Sequence, residues 1–147
     1  METIVLAADH GGFKLKEIIK EFLQERKDIK IFDLGTYSEE SVDYPVYAEK
    51  AARTVASGQA SRGIVFCGTG IGITIAANKI AGVRAANCTS VEMAEMSRRH
   101  NNANILGLGG RTLTPELAKQ ITTVWLDTPF EGDRHQRRID QITKLEK

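Results

Sequence analysis

Cysteine is scarce in this sequence: 147 residues contain only Cys67 and Cys88. They form no CxxC pair, so no disulfide framework is expected. Long apolar runs are missing too, and the N-terminus lacks a signal-peptide pattern. A reducing, cytoplasmic setting with no membrane partner is therefore expected. Charge of one sign is equally absent. The formal net charge is +1, which offers no global attraction to nucleic acid. The three histidines and scattered acids show no HxxxH or CxxC spacing, so no metal is expected. Nucleotide fingerprints fail as well. Gly68-Thr-Gly-Ile-Gly-Ile73 places isoleucine where GxGxxG needs its third glycine. Neither GxxxxGK[ST] nor a GxSxG elbow occurs. No repeat, low-complexity tract or linker divides the chain, and residues 1–147 suit a single domain.

What is present alternates. Thr3 to Ala8 is an almost uniformly apolar run, as in a strand buried on both faces. Leu15, Ile18, Ile19, Phe22 and Leu23 then recur at helical spacing. Lys30 to Leu34 is a second strand. Asp43-Tyr44-Pro45 opens a small-residue helix that Gly58 ends. Ile64 to Phe66 is a third strand, Arg84 to Asn87 a short polar fourth, and Asn104 to Leu108 a fifth. Helices are expected between Ser90 and Arg99, after Thr114, and over about 132–146. Five strands alternating with helices imply an α/β fold: a three-layer α/β/α, Rossmann-like arrangement around a five-stranded parallel sheet. Ligands of such folds bind outside the carboxyl ends of the strands.

Gly63-Ile-Val-Phe-Cys-Gly-Thr-Gly-Ile-Gly72 is the most informative stretch. A buried strand runs into Cys67, then into alternating glycines, then into a helix start. Such a turn brings backbone N–H groups close to a ligand, and the helix dipole favours negative charge there. Cys67 at its lip is a candidate base or nucleophile beside an oxyanion cradle. The other reading of those residues is a buried cysteine that simply finishes a core strand.

Other polar groups sit at strand or helix ends. Asp9-His10 follows the first strand, suited to orienting a hydroxyl and contacting a phosphate, or to helix capping. His100 lies in a polar break after a helix, where it can shuttle a proton or cap the helix. Arg134 and Arg138 share one helix face, with His135 and Arg137 beside them. Two guanidinium forks suit a phosphate or carboxylate, or form a solvated basic end. Gly109 to Arg111 close the fifth strand.

Several ordered motifs together resemble the family of type B ribose-5-phosphate isomerases and the related galactose-6-phosphate isomerase subunits. They are Ala8-Asp-His-Gly-Gly12, Asp43-Tyr-Pro45, Cys67-Gly-Thr-Gly-Ile-Gly72, Ala76-Ala-Asn-Lys79, Ser97-Arg-Arg-His-Asn101 and Glu131-Gly-Asp-Arg-His135. The resemblance runs from about Ile4 to Ile142. It implies an aldose–ketose isomerase of a phosphorylated sugar, most simply ribose 5-phosphate and ribulose 5-phosphate, with no cofactor. The alternatives it leaves are a six-carbon substrate (allose 6-phosphate or galactose 6-phosphate) and a non-catalytic sugar-phosphate sensor.

By the same resemblance, Cys67 is the base between C1 and C2. A branch of the family uses a glutamate at the position of Ile73, which cannot titrate. Thr69 and His100 would open the sugar ring. Amides of Gly68, Gly70, Ile71 and Gly72 would hold the enediolate, aided by Asn101. Asp9 and Tyr44 would contact hydroxyls. His10, Arg134, Arg138 and, more weakly, Arg111 would bind phosphate. Relatives are typically homodimers with sites shared across the interface, some pairing into tetramers, and the last helix is expected to pack on a partner subunit. Many relatives carry glycine where this chain has Asp133. A carboxylate there opposes a phosphate unless it points to solvent or holds an arginine.

Overall fold

The computed structural model describes residues 1–146. Five strands are present: β1 (Glu2–Ala8), β2 (Ile29–Asp33), β3 (Arg62–Cys67), β4 (Ala85–Asn87) and β5 (Ile105–Gly109). They alternate with α1 (Phe13–Gln24), α2 (Tyr44–Ala56), α3 (Ile71–Ala77), α4 (Val91–Arg99) and α5 (Pro115–Asp127), and α6 (Arg134–Thr143) follows. The sheet is wholly parallel, in the order β2-β1-β3-β5-β4. The expected five-stranded α/β architecture is therefore the observed one. Strand ends differ from the expected ones by one or two residues, the fourth strand having only three, and the last helix is shorter than 132–146.

Side chains alternate across the sheet and divide the core in two. Ile4, Leu6, Ala8, Ile64, Phe66, Leu106 and Leu108 face α1, α4 and α5 around Trp125. Val5, Ala7, Val65, Cys67 and Ile105 face α2 and α3 through Ala48, Ala51, Ala52, Ile73 and Ala77. The alanines of α2 let that helix lie close to the sheet. Local chemistry sets the helix ends. The Ser90 hydroxyl accepts from the Met93 N–H, and the Thr114 hydroxyl from the Leu117 N–H. Pro45 and Pro115 sit in first turns, where no N–H is needed. Among the described residues, no helix is long and apolar enough to cross a membrane.

The central strands end together. Ala8 lies in register with Phe66, and Cys67 with Gly109, so the segments after β1, β3 and β5 converge. At the other end Gly63 and Ala85 both pair with Ile105. The Gly63 N–H donates to Asn104 O, and the Asn104 N–H to Arg84 O. The chain from His100 to Asn104 thus lies at the amino ends of the strands.

Candidate active site

Cys67 is the last residue of β3 and is 5% exposed. Its Sγ accepts the Gly70 N–H at 3.2 Å. Gly70 adopts φ +81°, the left-handed conformation that glycine enters without strain. A side chain there would also strike Asn87 Oδ1 and the Leu108 carbonyl carbon. The Thr69 hydroxyl accepts the Ile71 N–H, and the Thr74 hydroxyl donates to Gly70 O. The turn is thereby stapled around the sulfur. The N–H groups of Gly72 and Ile73, in the first turn of α3, have no carbonyl four residues earlier within the helix.

Asp9 is 7% exposed, and its Oδ1 accepts the Gly12 N–H. The bond closes a turn just ahead of α1, whose cap residue is Gly12 without a side-chain cap. Asp9 therefore does not cap the helix as expected, and its second carboxylate oxygen remains for a ligand. His10 Nδ1 accepts the Val42 N–H, which leaves Nε2 as the nitrogen open to a ligand. The exposed Tyr44 ring crosses Gly72 so closely that a Cβ there would lie 2.7 Å from Tyr44 Cζ. Arg111 donates its N–H to Gly68 O, and its guanidinium spreads over Gly11 and Gly68. Asp9, His10, Tyr44, Cys67 to Gly72 and Arg111 therefore gather at the carboxyl ends of the strands.

The remaining predicted residues do not join them. His100 caps α4 through a bond from its N–H to Met96 O. Asn101 is exposed beside it, and the Arg84 guanidinium donates to the carbonyls of Asn101 and Asn102. The His100 ring stacks on that of His135, with centroids 4.2 Å apart and planes 13° from parallel. The Glu131 N–H donates to Arg99 O, which brings the start of α6 to the same place. Arg134 and Arg138 are exposed on α6. This second cluster lies at the amino ends. The five residues of β5 separate it from Cys67 by roughly 13 Å or more.

Asp133, at the start of α6, has φ 51° and ψ −127°. The His135 N–H bonds back to Gly132 O, closing a turn whose second residue favours glycine. Its carboxylate is exposed and makes no ion pair with Arg134 among the described residues.

His135 was named in the sequence only as part of a basic cluster. It is in fact 5% exposed, and burial, then the neighbouring His100 and Arg134, push its pKa down. Glu131 Oε1 lies 3.5 Å from His135 Nε2 and 4.0 Å from His100 Nε2. The i, i+4 spacing of Glu131 and His135 was the signal that could have found this pair. Donor atoms of His100, Glu131 and His135 lie within 4.8 Å of one another, a grouping no sequence spacing announced. Stacked rings, however, send their in-plane lone pairs in parallel rather than onto one ion, so shared ligation requires one ring to turn.

Comparison with known proteins agrees with this architecture. Residues 4–142 match the model of the ribose/galactose isomerase family. Ribose-5-phosphate isomerase B of Escherichia coli is 47% identical over 146 residues, covering 99% of this chain and 97% of that protein. The solved ribose-5-phosphate isomerase B of Clostridium thermocellum superposes with TM-score 0.95 at 49% identity, covering 97% and 96% of the two chains. That of Mycoplasma genitalium, solved with bound ribulose 5-phosphate, gives TM-score 0.92 at 42% identity over 97% and 95%. With its parallel sheet, its cysteine–glycine turn and these likenesses over nearly its whole length, the chain belongs to the ribose/galactose isomerase family.

Proposed function

We propose that this protein interconverts ribose 5-phosphate and ribulose 5-phosphate, with Cys67 as the base. The observation that carries this is Cys67 Sγ held in a glycine turn against the Gly70 N–H at 3.2 Å. Support comes from the M. genitalium relative, solved with ribulose 5-phosphate bound.

A hydrogen on carbon beside a carbonyl is weakly acidic. Its removal needs a base and stabilisation of the enediolate. The reaction starts on the cyclic sugar. His100 and Thr69 move a proton from the anomeric hydroxyl toward the ring oxygen, which breaks the C1–O4 bond and frees the aldehyde. Cys67 then takes the C2 proton. The C2–H electron pair becomes the C1–C2 double bond, and the aldehyde oxygen takes up the charge. Amides of the Gly68 to Gly72 turn hold that charge, with Asn101. Cys67 returns the proton at C1, and the O2 proton passes to the O1 oxyanion, so that O2 becomes the ketone and O1 the hydroxyl. Asp9 and Tyr44 bind hydroxyls. His10, Arg134, Arg138 and Arg111 bind the phosphate, whose distance from the reacting carbons lets its binding energy position them.

One chain holds these residues in two clusters, at opposite ends of the sheet. We therefore propose a homodimer in which each site joins Cys67 of one protomer to His100, Asn101, Arg134 and Arg138 of its partner. The exposed Ile71, Ile75, Val46 and Tyr44 around the Cys67 turn supply apolar surface for that contact. The last helix would then serve the partner's site, and residues 1–147 would act as one domain per protomer.

The test is ribulose 5-phosphate formation from ribose 5-phosphate by purified protein without added metal, beside Cys67→Ala. Activity in the parent and none in the variant is the expected result. An inactive, folded parent would remove ribose 5-phosphate as the substrate.

A further inference from the structure

His100 faces solvent on one side and His135 on the other. Its ring is 40% exposed in its side chain, while that of His135 is 6% exposed. The face-to-face stack therefore fixes a half-exposed imidazole against a buried one. The buried ring is itself anchored. Ile139 of the same helix is 5% exposed, so α6 presses this edge onto the rest of the chain. Glu131 Oε1 lies near both Nε2 atoms, and its backbone is tied to Arg99 O. Arg99 in turn bonds Glu95 at 2.6 Å and lies 3.6 Å from Glu131. His135 Nε2 is buried and has no hydrogen-bond partner, an uncommon state for a buried ring nitrogen. Core packing alone would be met by an apolar ring at that position. A histidine kept there with an unpaired nitrogen beside a carboxylate points to work on its neighbour.

Resting on the isomerase reading above, we propose that His135 is a positioning residue for ring opening: its stacked ring, with Glu131 beside both imidazoles, holds His100 in the single orientation that reaches the sugar's ring oxygen. His135 does not touch the substrate in this role. Without it His100 is free to turn about its side-chain bonds, and a misplaced proton donor loses rate steeply. Proton transfer by Cys67 is a separate step and does not use His100.

That separation supplies the experiment. Ribulose 5-phosphate has no ring to open, so Cys67 can exchange its C1 proton with solvent without His100. Full-length parent, His135→Ala and His135→Phe are compared in two assays. One is conversion of ribose 5-phosphate to ribulose 5-phosphate. The other is deuterium uptake at C1 of ribulose 5-phosphate in heavy water. In His135→Ala, kcat for conversion is expected to fall at least about tenfold, with C1 exchange within about twofold of parent. His135→Phe keeps the stacked ring but not the nitrogen beside Glu131, so it is expected to recover only part of the lost conversion; full recovery would overturn the part given to that nitrogen and Glu131. Equal loss of both reactions in His135→Ala would mean general damage and overturn the proposal. No loss of either would overturn it as well. A parent that neither converts nor exchanges would overturn the isomerase reading and this proposal with it. A parent active in both assays, beside an unaffected variant, would overturn this proposal alone.

Discussion

The Gly70 N–H points at Cys67 Sγ from 3.2 Å, and the turn between them closes around the sulfur. This contact lies at the centre of the residues gathered at the carboxyl ends of the strands. Cys67 packs beside Val65, Ile73 and Ala77, so the sulfur is fixed by the core on one side and by the turn on the other.

Removing the sulfur is expected to separate chemistry from folding. Cys67→Ala deletes one buried atom, for a stability cost of about 1 kcal/mol, while kcat falls about a thousandfold, the scale of a lost general base. Circular dichroism and a coupled isomerase assay measure the two. Gly70→Ala is expected to damage the fold as well as the turn around the sulfur. Its φ of +81° and the clash with Asn87 Oδ1 cost about 2–3 kcal/mol, so the midpoint of urea unfolding drops.

The two clusters at opposite sheet ends make a shared site testable by mixing. Cys67→Ala and His100→Ala are each expected to be inactive alone. Unfolded together in equal amounts and refolded, they should regain about a quarter of parental activity, because half the random dimers are mixed and each carries one intact site. No recovery would mean that the site is not shared between protomers in this way.

Arg134→Ala and Arg138→Ala are expected to raise KM for ribose 5-phosphate about tenfold or more, with kcat changed less. Both side chains are exposed, so stability should stay within about 0.5 kcal/mol of parent. Thermal unfolding and initial-rate kinetics separate these outcomes.

Asp133 sits where its backbone favours glycine, at φ 51° and ψ −127°. Asp133→Gly is expected to stabilise the fold by about 1 kcal/mol through relief of that strain. It also removes a carboxylate next to Arg134. A lower KM alongside a higher unfolding midpoint is the expected pair of results.

Asp33 gives a pH prediction. Burial raises its carboxyl, but bonds from Lys16, the Gly35 N–H and Lys20 outweigh this and hold it below the usual range. Its folded pKa is thus below its unfolded one. The stabilisation is complete above the ordinary carboxylate value of about 3.9 and is lost as pH falls through the folded value. Asp33→Asn should therefore flatten the decline of stability below about pH 4. At pH 7 Asp33→Ala leaves the buried Lys16 with Glu17 alone, at a cost of about 3 kcal/mol.

The elements and half of the site were legible because their signals are local. Uniform apolar runs, 3.6-residue periods, prolines in first turns and the Cys67 to Gly72 spacing each reflect what neighbouring residues can do. β4 was seen only weakly, since three residues carry little pattern and its place at the sheet edge depends on β5. Strand order lay outside any local signal, because it is set by which strands bury which faces.

What the amino-acid sequence by itself determined was the α/β alternation, the cysteine–glycine turn and the family motifs, all short-range in origin. Tertiary structure alone decided that Asp9, His10, Tyr44 and Arg111 gather around Cys67 while His100, Arg134 and Arg138 collect at the far end. It also decided that His135 is buried against His100. The reason is geometric: residues far apart in the chain meet only when a parallel sheet fixes which ends of its strands and helices lie together.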